Sequence, residues 1–99
     1  MNILASDQVQ AWLAALPPVT KKRVRVALRE LANGQGDLKA LQGELEGWCR
    51  LRVGGLRIVY RSLPGKIIRL DYADTRDVVY ENFLHRLARK QVGKPGKSL

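Results

Sequence analysis

The sequence has very few of the residues on which disulfide scaffolds and metal centres are built. Among 99 residues there is one cysteine, Cys49, and one histidine, His85. A single cysteine excludes an internal disulfide, and one cysteine with one histidine cannot supply a Cys/His metal cluster. We therefore expect neither a metal nor another cofactor, and we expect a protein of the reducing cytoplasm. His85, next to Leu84 in a helical pattern, is expected to be structural.

Long hydrophobic segments are also missing. No run of 18 apolar residues occurs, and the opening segment MNILASDQVQ has neither a basic region nor a long apolar region. This pattern predicts a chain that neither spans a membrane nor carries a signal peptide. The length suits one domain, predicted over residues 1–91, and the polar segment VGKPGKSL predicts a disordered tail over residues 92–99.

Positive charge is abundant and unevenly distributed. Lys and Arg number 18 against 9 Asp and Glu, for a net charge of +9. Twelve of the basic residues but only four of the acidic ones lie in residues 47–99. This asymmetry favours an anionic partner for the second half of the chain, although a generally basic, soluble surface is the simpler alternative.

Helical periodicity occurs at both ends of the chain. Ser6 can cap a first amphipathic helix, which the Pro17-Pro18 pair ends, and Asn33 can end a second helix. A third helix is expected after Asp74 or Thr75. Residues 34–47 between the helices and the next pattern are expected to be turn-rich.

From Trp48 onwards the apolar period changes from 3.6 to 2, which predicts strands. Gly54-Gly55 can close a two-residue hairpin that pairs Arg52 with Arg57. Because directly opposed residues share a face, one face of this hairpin should be apolar and the other basic. The predicted basic face contains Trp48, Arg50, Arg52, Arg57, Val59 and Arg61.

A second turn is predicted at Leu63-Pro64-Gly65. The register that it sets places Tyr60 opposite Ile68, Ile58 opposite Leu70, Leu56 opposite Tyr72, Arg61 opposite Ile67, Val59 opposite Arg69, and Arg57 opposite Asp71. Arg69 thereby joins the basic face.

Five arginines and a tryptophan on one sheet face suit a polynucleotide, because guanidinium groups bind phosphates and an indole ring can stack on a base. The alternative is that Asp71, with Glu44 or Glu46, neutralises part of this charge while Trp48 covers the sheet edge. The residues leave both interpretations open.

The segments GWCRLRVGGLRIVYR and ADTRDVVYENF resemble the RelE/ParE superfamily of toxins from bacterial toxin-antitoxin modules. The resemblance implies an α+β fold in the order β-α-α-β-β-β-α. A twisted antiparallel sheet would pack against the N-terminal helical hairpin, with a helix at the C-terminus. It further implies that residues 2–5 form a strand of that sheet.

The resemblance also implies a function. RelE-like members are metal-independent endoribonucleases that cut mRNA at the ribosome and are silenced by a cognate antitoxin, here expected to be acidic. By similarity the catalytic residues would be Arg57, Arg76 and Tyr80. The remaining residues expected to bind RNA are Trp48, Arg50, Arg52, Arg61 and Arg69.

The proton acceptor stays open, because Arg50 and Arg52 occupy positions where RelE has lysines and a guanidinium cannot act as a base. Tyr80 and Asp77 are both candidates. A ParE-like toxin that inhibits DNA gyrase without cutting RNA is the alternative function. An inactive nucleic-acid-binding member is a further one.

Overall fold

The computed structural model describes the backbone of residues 2–75 and 78–98 and the side chains of these segments up to residue 89. The described residues form three α-helices, five strands and a short 3₁₀ helix. In chain order they are β1 (Asn2–Ala5), α1 (Asp7–Ala15), α2 (Pro18–Ala32), β2 (Asp37–Ala40), the 3₁₀ helix (Gly43–Leu45), β3 (Cys49–Val53), β4 (Leu56–Leu63), β5 (Ile67–Thr75) and α3 (Val78–Ser98).

The predicted α+β fold is confirmed, with one strand more than expected. The added strand is β2, within the segment that the composition marked as turn-rich. It escapes detection because it has only four residues, two of them charged, and follows Gly36, whose φ of 120° ends any extended pattern. α3 continues to Ser98 and so overlaps the segment predicted to be disordered, and the domain boundary at residue 91 stays a prediction.

The N-terminal helices form as their capping residues predict. Ser6 Oγ accepts a 3.3 Å hydrogen bond from the Val9 amide at the start of α1. α2 begins at Pro18, where the missing amide hydrogen costs nothing because a first-turn amide has no partner within the helix. Both helices bury apolar residues against the sheet, with Val9 and Val24 fully inaccessible to solvent.

The five strands form one sheet in the order β1-β5-β4-β3-β2. β1 joins the sheet, as the resemblance implies, but it pairs parallel to β5, so the sheet is mixed rather than purely antiparallel. The other neighbouring strands are antiparallel.

The β3–β4 hairpin has the register predicted from its glycine turn. Cys49 pairs with Tyr60, and Arg52 lies directly opposite Arg57. Gly54 has a φ of 59°, in the left-handed region that a tight hairpin turn requires of its first residue. The alternation of apolar residues and the glycine turn were sufficient to predict this register, because both signals depend only on residues close together in the chain.

The predicted register of β4 and β5 is wrong. The turn consists of Pro64, Gly65 and Lys66, one residue later than expected, because Gly65 and Lys66 both adopt positive φ, 83° and 58°. Near the turn, Tyr60 therefore pairs with Leu70, and Arg61 with Arg69. This shift moves each partner by two residues and leaves the faces unchanged.

A β-bulge at Asp71 then changes the faces. Tyr60 pairs with Leu70 and Val59 with Tyr72, so Asp71 has no cross-strand partner. Beyond the bulge Arg57 lies opposite Asp74 instead of Asp71. Tyr72 moves from the predicted apolar face to the basic one.

Ser6, the N-cap of α1, and Gln8 of α1 hydrogen-bond to β5 where β1 has ended. Ser6 Oγ donates to the Asp71 carbonyl oxygen at 2.9 Å. The Gln8 side chain donates to the Ala73 carbonyl oxygen at 2.7 Å and accepts from the Ala73 amide at 2.9 Å. These contacts satisfy the carbonyl group of the bulge residue Asp71 and both backbone groups of Ala73.

Two apolar clusters cover the two faces of the sheet. α1 and α2 pack on one face, whose buried sheet residues are Leu51, Ile58, Tyr60, Ile68, Leu70 and Ala73. On the other face, Val59 forms a second buried cluster with Val79 and Phe83 of α3 and with Leu45. The predicted basic face is thus partly covered by α3. Among the described residues, none of the helices combines the length and the apolar character that a membrane span requires.

Candidate functional site

α3 divides the predicted basic face into two regions. Val59, which lies among the arginines in the strand pattern, has no exposed surface and packs with Val79 and Phe83. Tyr80 of α3 borders a cleft on one side, and Phe83 of the same helix borders a cleft on the other. The arginines therefore do not form one continuous row.

The first cleft, here called the arginine cleft, has a volume of about 490 Å³. Its walls come from β2, β3, β4 and the first turn of α3. It is lined by Lys39, Leu41, Arg50, Arg52, Arg57 and Tyr80. Four of these side chains were predicted site residues, and the fold brings them together from three separate elements.

Asp37 holds two of the arginines in position. Arg50 Nη1 donates to Asp37 Oδ1 at 3.0 Å and to its carbonyl oxygen at 3.2 Å, and the Arg50 side chain is only 13% exposed. Arg52 Nε lies 3.9 Å from Asp37 Oδ2 with 51% of its side chain exposed. Arg50 is thus anchored, whereas the Arg52 guanidinium stays accessible to a phosphate.

The hairpin turn relieves the repulsion between Arg52 and Arg57. Arg57 Nη1 donates to the Gly54 carbonyl oxygen at 3.1 Å, and Arg52 Nε approaches the same oxygen at 3.4 Å. Two like charges on residues directly opposite each other destabilise a sheet by roughly a few tenths of a kcal/mol. A shared carbonyl oxygen between the two guanidinium groups offsets part of that cost.

Trp48 belongs to the second arginine region, which lies around Asp71 on the other side of α3. There, side chains of the protein itself contact the Trp48 ring. Its Nε1 donates to Asp71 Oδ2 at 2.7 Å. The Phe83 ring packs edge-on at 5.4 Å between centroids, and the Arg61 guanidinium lies 4.6 Å from the Trp48 centroid. These contacts hold Trp48 within the fold, and stacking of its ring on a base stays a prediction.

Asp71 also engages Arg69. Arg69 Nε donates to Asp71 Oδ1 at 2.6 Å and Arg69 Nη2 to Oδ2 at 3.2 Å. The hydrogen bond to Asp71 raises the pKa of the Arg69 guanidinium above its ordinary value and so stabilises its charged form. The alternative that Asp71 neutralises part of the charge is therefore correct for Arg69, and the cleft beside it, of about 370 Å³, contains an ion pair.

Comparison with solved structures supports a known toxin fold. RelE of Methanococcus jannaschii, from its RelB–RelE antitoxin–toxin complex, is 24% identical and superimposes with a TM-score of 0.62, over 81% of this chain and 98% of that one. YoeB of Staphylococcus aureus, from its YoeB–YefM complex, is 19% identical with a TM-score of 0.61, over 77% and 97%. A chain of the toxin-antitoxin complex RelBE2 of Mycobacterium tuberculosis is 24% identical, with a TM-score of 0.57, over 76% of this chain and 96% of that one. This chain has the RelE toxin fold. No family model and no curated protein sequence matches it significantly.

Within the RelE fold, the predicted site residues fall into three groups. Arg50, Arg52, Arg57 and Tyr80 line the arginine cleft. Trp48, Arg61 and Arg69 lie around Asp71 in the second region. Arg76 and Asp77 lie outside the described residues, and His85 is exposed on α3.

Two residues beside the arginines of the cleft, both on β2, were not predicted from the sequence. Asp37 and Lys39 lie directly opposite Arg52 and Arg50, so they share the face of the arginine cleft. The available signal was the alternation of Asp37, Leu38, Lys39 and Ala40, which places Leu38 opposite buried Leu51. No group of three His, Cys, Asp or Glu side chains suited to a metal ion occurs among the residues that the structure describes.

Proposed function

We propose that this chain is the toxin of a toxin-antitoxin module and acts in the cytoplasm as an endoribonuclease on mRNA, at the ribosome. The observation that carries the proposal is the arginine cleft, in which Arg50, Arg52 and Arg57 converge with Tyr80. The similarity to RelE and YoeB structures supports it, because those proteins are toxins of antitoxin complexes.

The cleft has the chemistry that RNA cleavage needs. RNA supplies its own nucleophile, the 2′-hydroxyl, so the protein must position the phosphate and stabilise negative charge as it develops. Arg52, half exposed, is suited to hold a backbone phosphate, and Arg57 to stabilise the transition state. Arg76 shares this second role by its resemblance to the family, and Tyr80 can contact a base or a reacting oxygen.

The partner proposed for inhibition is an acidic antitoxin. The chain carries a net charge of +9, and exposed positive groups beside the cleft attract an acidic chain. The M. jannaschii and S. aureus proteins were both solved in complexes with their antitoxins. We expect the gene for such an antitoxin next to the gene for this chain.

The deciding experiment is induced expression followed by mapping of mRNA 5′ ends, with a gyrase supercoiling assay in parallel. The proposal predicts new 5′ ends within coding regions and normal supercoiling. Arg57→Ala should abolish both growth arrest and cleavage. Arg29→Ala, which removes an equal charge from the exposed side of α2, should change neither.

Unchanged toxicity of soluble Arg57→Ala protein would exclude the arginine cleft as the source of toxicity. Gyrase inhibition without new 5′ ends would support the ParE-like alternative.

A further inference from the structure

Cleavage by the 2′-hydroxyl moves two protons, one away from the attacking oxygen and one onto the departing 5′-oxygen. Three of the polar side chains of the arginine cleft are arginines, which keep their protons throughout. Leu41 has no exchangeable proton. Lys39 and Tyr80 are therefore the side chains of the described cleft that can exchange a proton with a substrate.

The fold directs Lys39 towards the phosphate-binding side chains. It lies opposite Arg50 across the β2–β3 ladder, and Asp37 anchors the Arg50 guanidinium at 3.0 Å. Lys39 is exposed. Within the part of the chain that the structure describes, no hydrogen bond or ion pair engages its ammonium group.

The neighbouring arginines differ from Lys39 in this respect. Arg50 donates to Asp37, and Arg52 donates to the Gly54 carbonyl oxygen. These contacts hold both side chains in place, so that the half-exposed Arg52 can keep a phosphate in a constant position. The Lys39 ammonium, at the end of a flexible side chain, can approach an oxygen of that phosphate and release a proton to it.

We propose that Lys39 is a catalytic residue that donates the proton to the 5′-oxygen leaving group, an inference that rests on the proposed nuclease function. As the 2′-hydroxyl loses its proton to solvent, its oxygen forms a bond to phosphorus and the bond from phosphorus to the 5′-oxygen breaks. The 5′-oxygen takes a proton from the Lys39 ammonium and leaves as a hydroxyl. The products are a 2′,3′-cyclic phosphate and a 5′-hydroxyl end, and water reprotonates the Lys39 amine.

The test compares two RNA substrates with the same sequence around a mapped cleavage position, on programmed ribosomes. One has the natural 5′-oxygen and the other a bridging 5′-sulfur, which departs without needing a proton. Lys39→Arg keeps the positive charge but cannot donate a proton. With the natural substrate it should cleave about 10²- to 10⁴-fold more slowly than the wild type. With the 5′-sulfur substrate the two proteins should cleave at rates within about tenfold of each other, since no proton donor is then required.

Two further variants distinguish proton donation by Lys39 from the roles of Arg57 and Tyr80. Arg57→Ala should be slow on both substrates, since charge stabilisation is needed for either leaving group. Tyr80→Phe should show no recovery that is specific to the sulfur substrate. Thermal melting of all variants establishes that they fold, which is expected of Lys39→Arg because the side chain is exposed on the edge strand β2.

The two proposals fail in different ways. If the wild type cleaves neither substrate, the nuclease function falls and the role of Lys39 falls with it. If the wild type cleaves the natural substrate and Lys39→Arg does so equally fast, only the role of Lys39 is overturned. Equal defects of Lys39→Arg on both substrates, or a sulfur-specific recovery in Tyr80→Phe instead, overturn it as well.

Discussion

Trp48 Nε1 donates a 2.7 Å hydrogen bond to Asp71 Oδ2, the same oxygen that accepts from Arg69 Nη2. Asp71 is the bulge residue of β5, and its carbonyl oxygen accepts from Ser6. One residue thus connects the bulge with the start of β3, the start of α1 and the second arginine region. This arrangement places Trp48, Arg61 and Arg69 on one side of α3 and the arginine cleft on the other, and RNA binding by these three residues stays a prediction.

Asp71→Ala should lower the free energy of unfolding by about 1–3 kcal/mol, because the half-buried Trp48 Nε1 loses its acceptor. Urea denaturation followed by tryptophan fluorescence measures the change. The matched control is Asp37→Ala, where the side chain is 56% exposed against 13% for Asp71. Because the Asp37 carboxylate is exposed and the backbone carbonyl oxygen at position 37 still accepts from Arg50 after the substitution, this change should cost less than about 1 kcal/mol. Equal losses in the two variants would contradict the structural role of Asp71.

Arg52→Ala should weaken binding of a short single-stranded RNA, whereas Arg69→Ala should have little effect. Arg52 is half exposed at the arginine cleft and lies 3.9 Å from the Asp37 carboxylate, whereas Arg69 is hydrogen-bonded to the Asp71 carboxylate at 2.6 Å. Fluorescence anisotropy at several KCl concentrations should show the slope of log K against log salt falling by about 0.7 for Arg52→Ala. The slope should be unchanged for Arg69→Ala. Similar losses in both would mean that RNA crosses both regions.

Gly54→Ala should lower the free energy of unfolding by about 1–2 kcal/mol, because an L-residue is strained at left-handed φ. Gly54 has a φ of 59°, and an added Cβ would lie 3.3 Å from Arg23 Nη2. Gly55→Ala is the control, since its Cβ would meet nothing within 4 Å. Its effect should be under about 0.5 kcal/mol. A thermal denaturation series distinguishes the two, and equal stability of both variants would argue against a strained turn.

Tyr60 should make unfolding sensitive to alkaline pH. Burial, with a smaller contribution from Cys49, raises the pKa of its hydroxyl to about 12, from an ordinary value of 10.0. The folded chain keeps this proton while the unfolded chain loses it, so this contribution to stability is present below pH 10 and is lost as the pH rises to about 12. Tyr60→Phe should therefore lose less stability than the wild type over that interval. Parallel curves for the two proteins would contradict the raised pKa.

The elements that could be predicted are those whose signals are local in the chain. Helix caps such as Ser6 and the Gly54-Gly55 turn act within a few residues. The alternation from Cys49 to Tyr60 assigned Arg50, Arg52 and Arg57 to one face without any tertiary information. The three-residue turn before Ile67 lies one residue later than the sequence pattern predicts, because Lys66 adopts a positive φ that lysine seldom takes.

The candidate site was predictable only in part for the same reason. Alternation identified its three arginines, and the resemblance added Tyr80. Lys39 was missed because β2 becomes a strand only through pairing with β3. The second arginine region could not be separated from the first until α3 was seen to bury Val59.

The sequence by itself determined the basic character of one sheet face, the β3–β4 register and the order of the main elements, because charge, side-chain alternation and turn conformation depend on neighbours in the chain. Tertiary structure alone decided which arginines line the arginine cleft and which lie around Asp71. The bulge at Asp71 is completed by Ser6, 65 residues away, and the division of the basic face depends on packing of α3 against Val59. Contacts between residues so far apart carry no signal in local spacing, since their free energy is gained only when the whole sheet has formed.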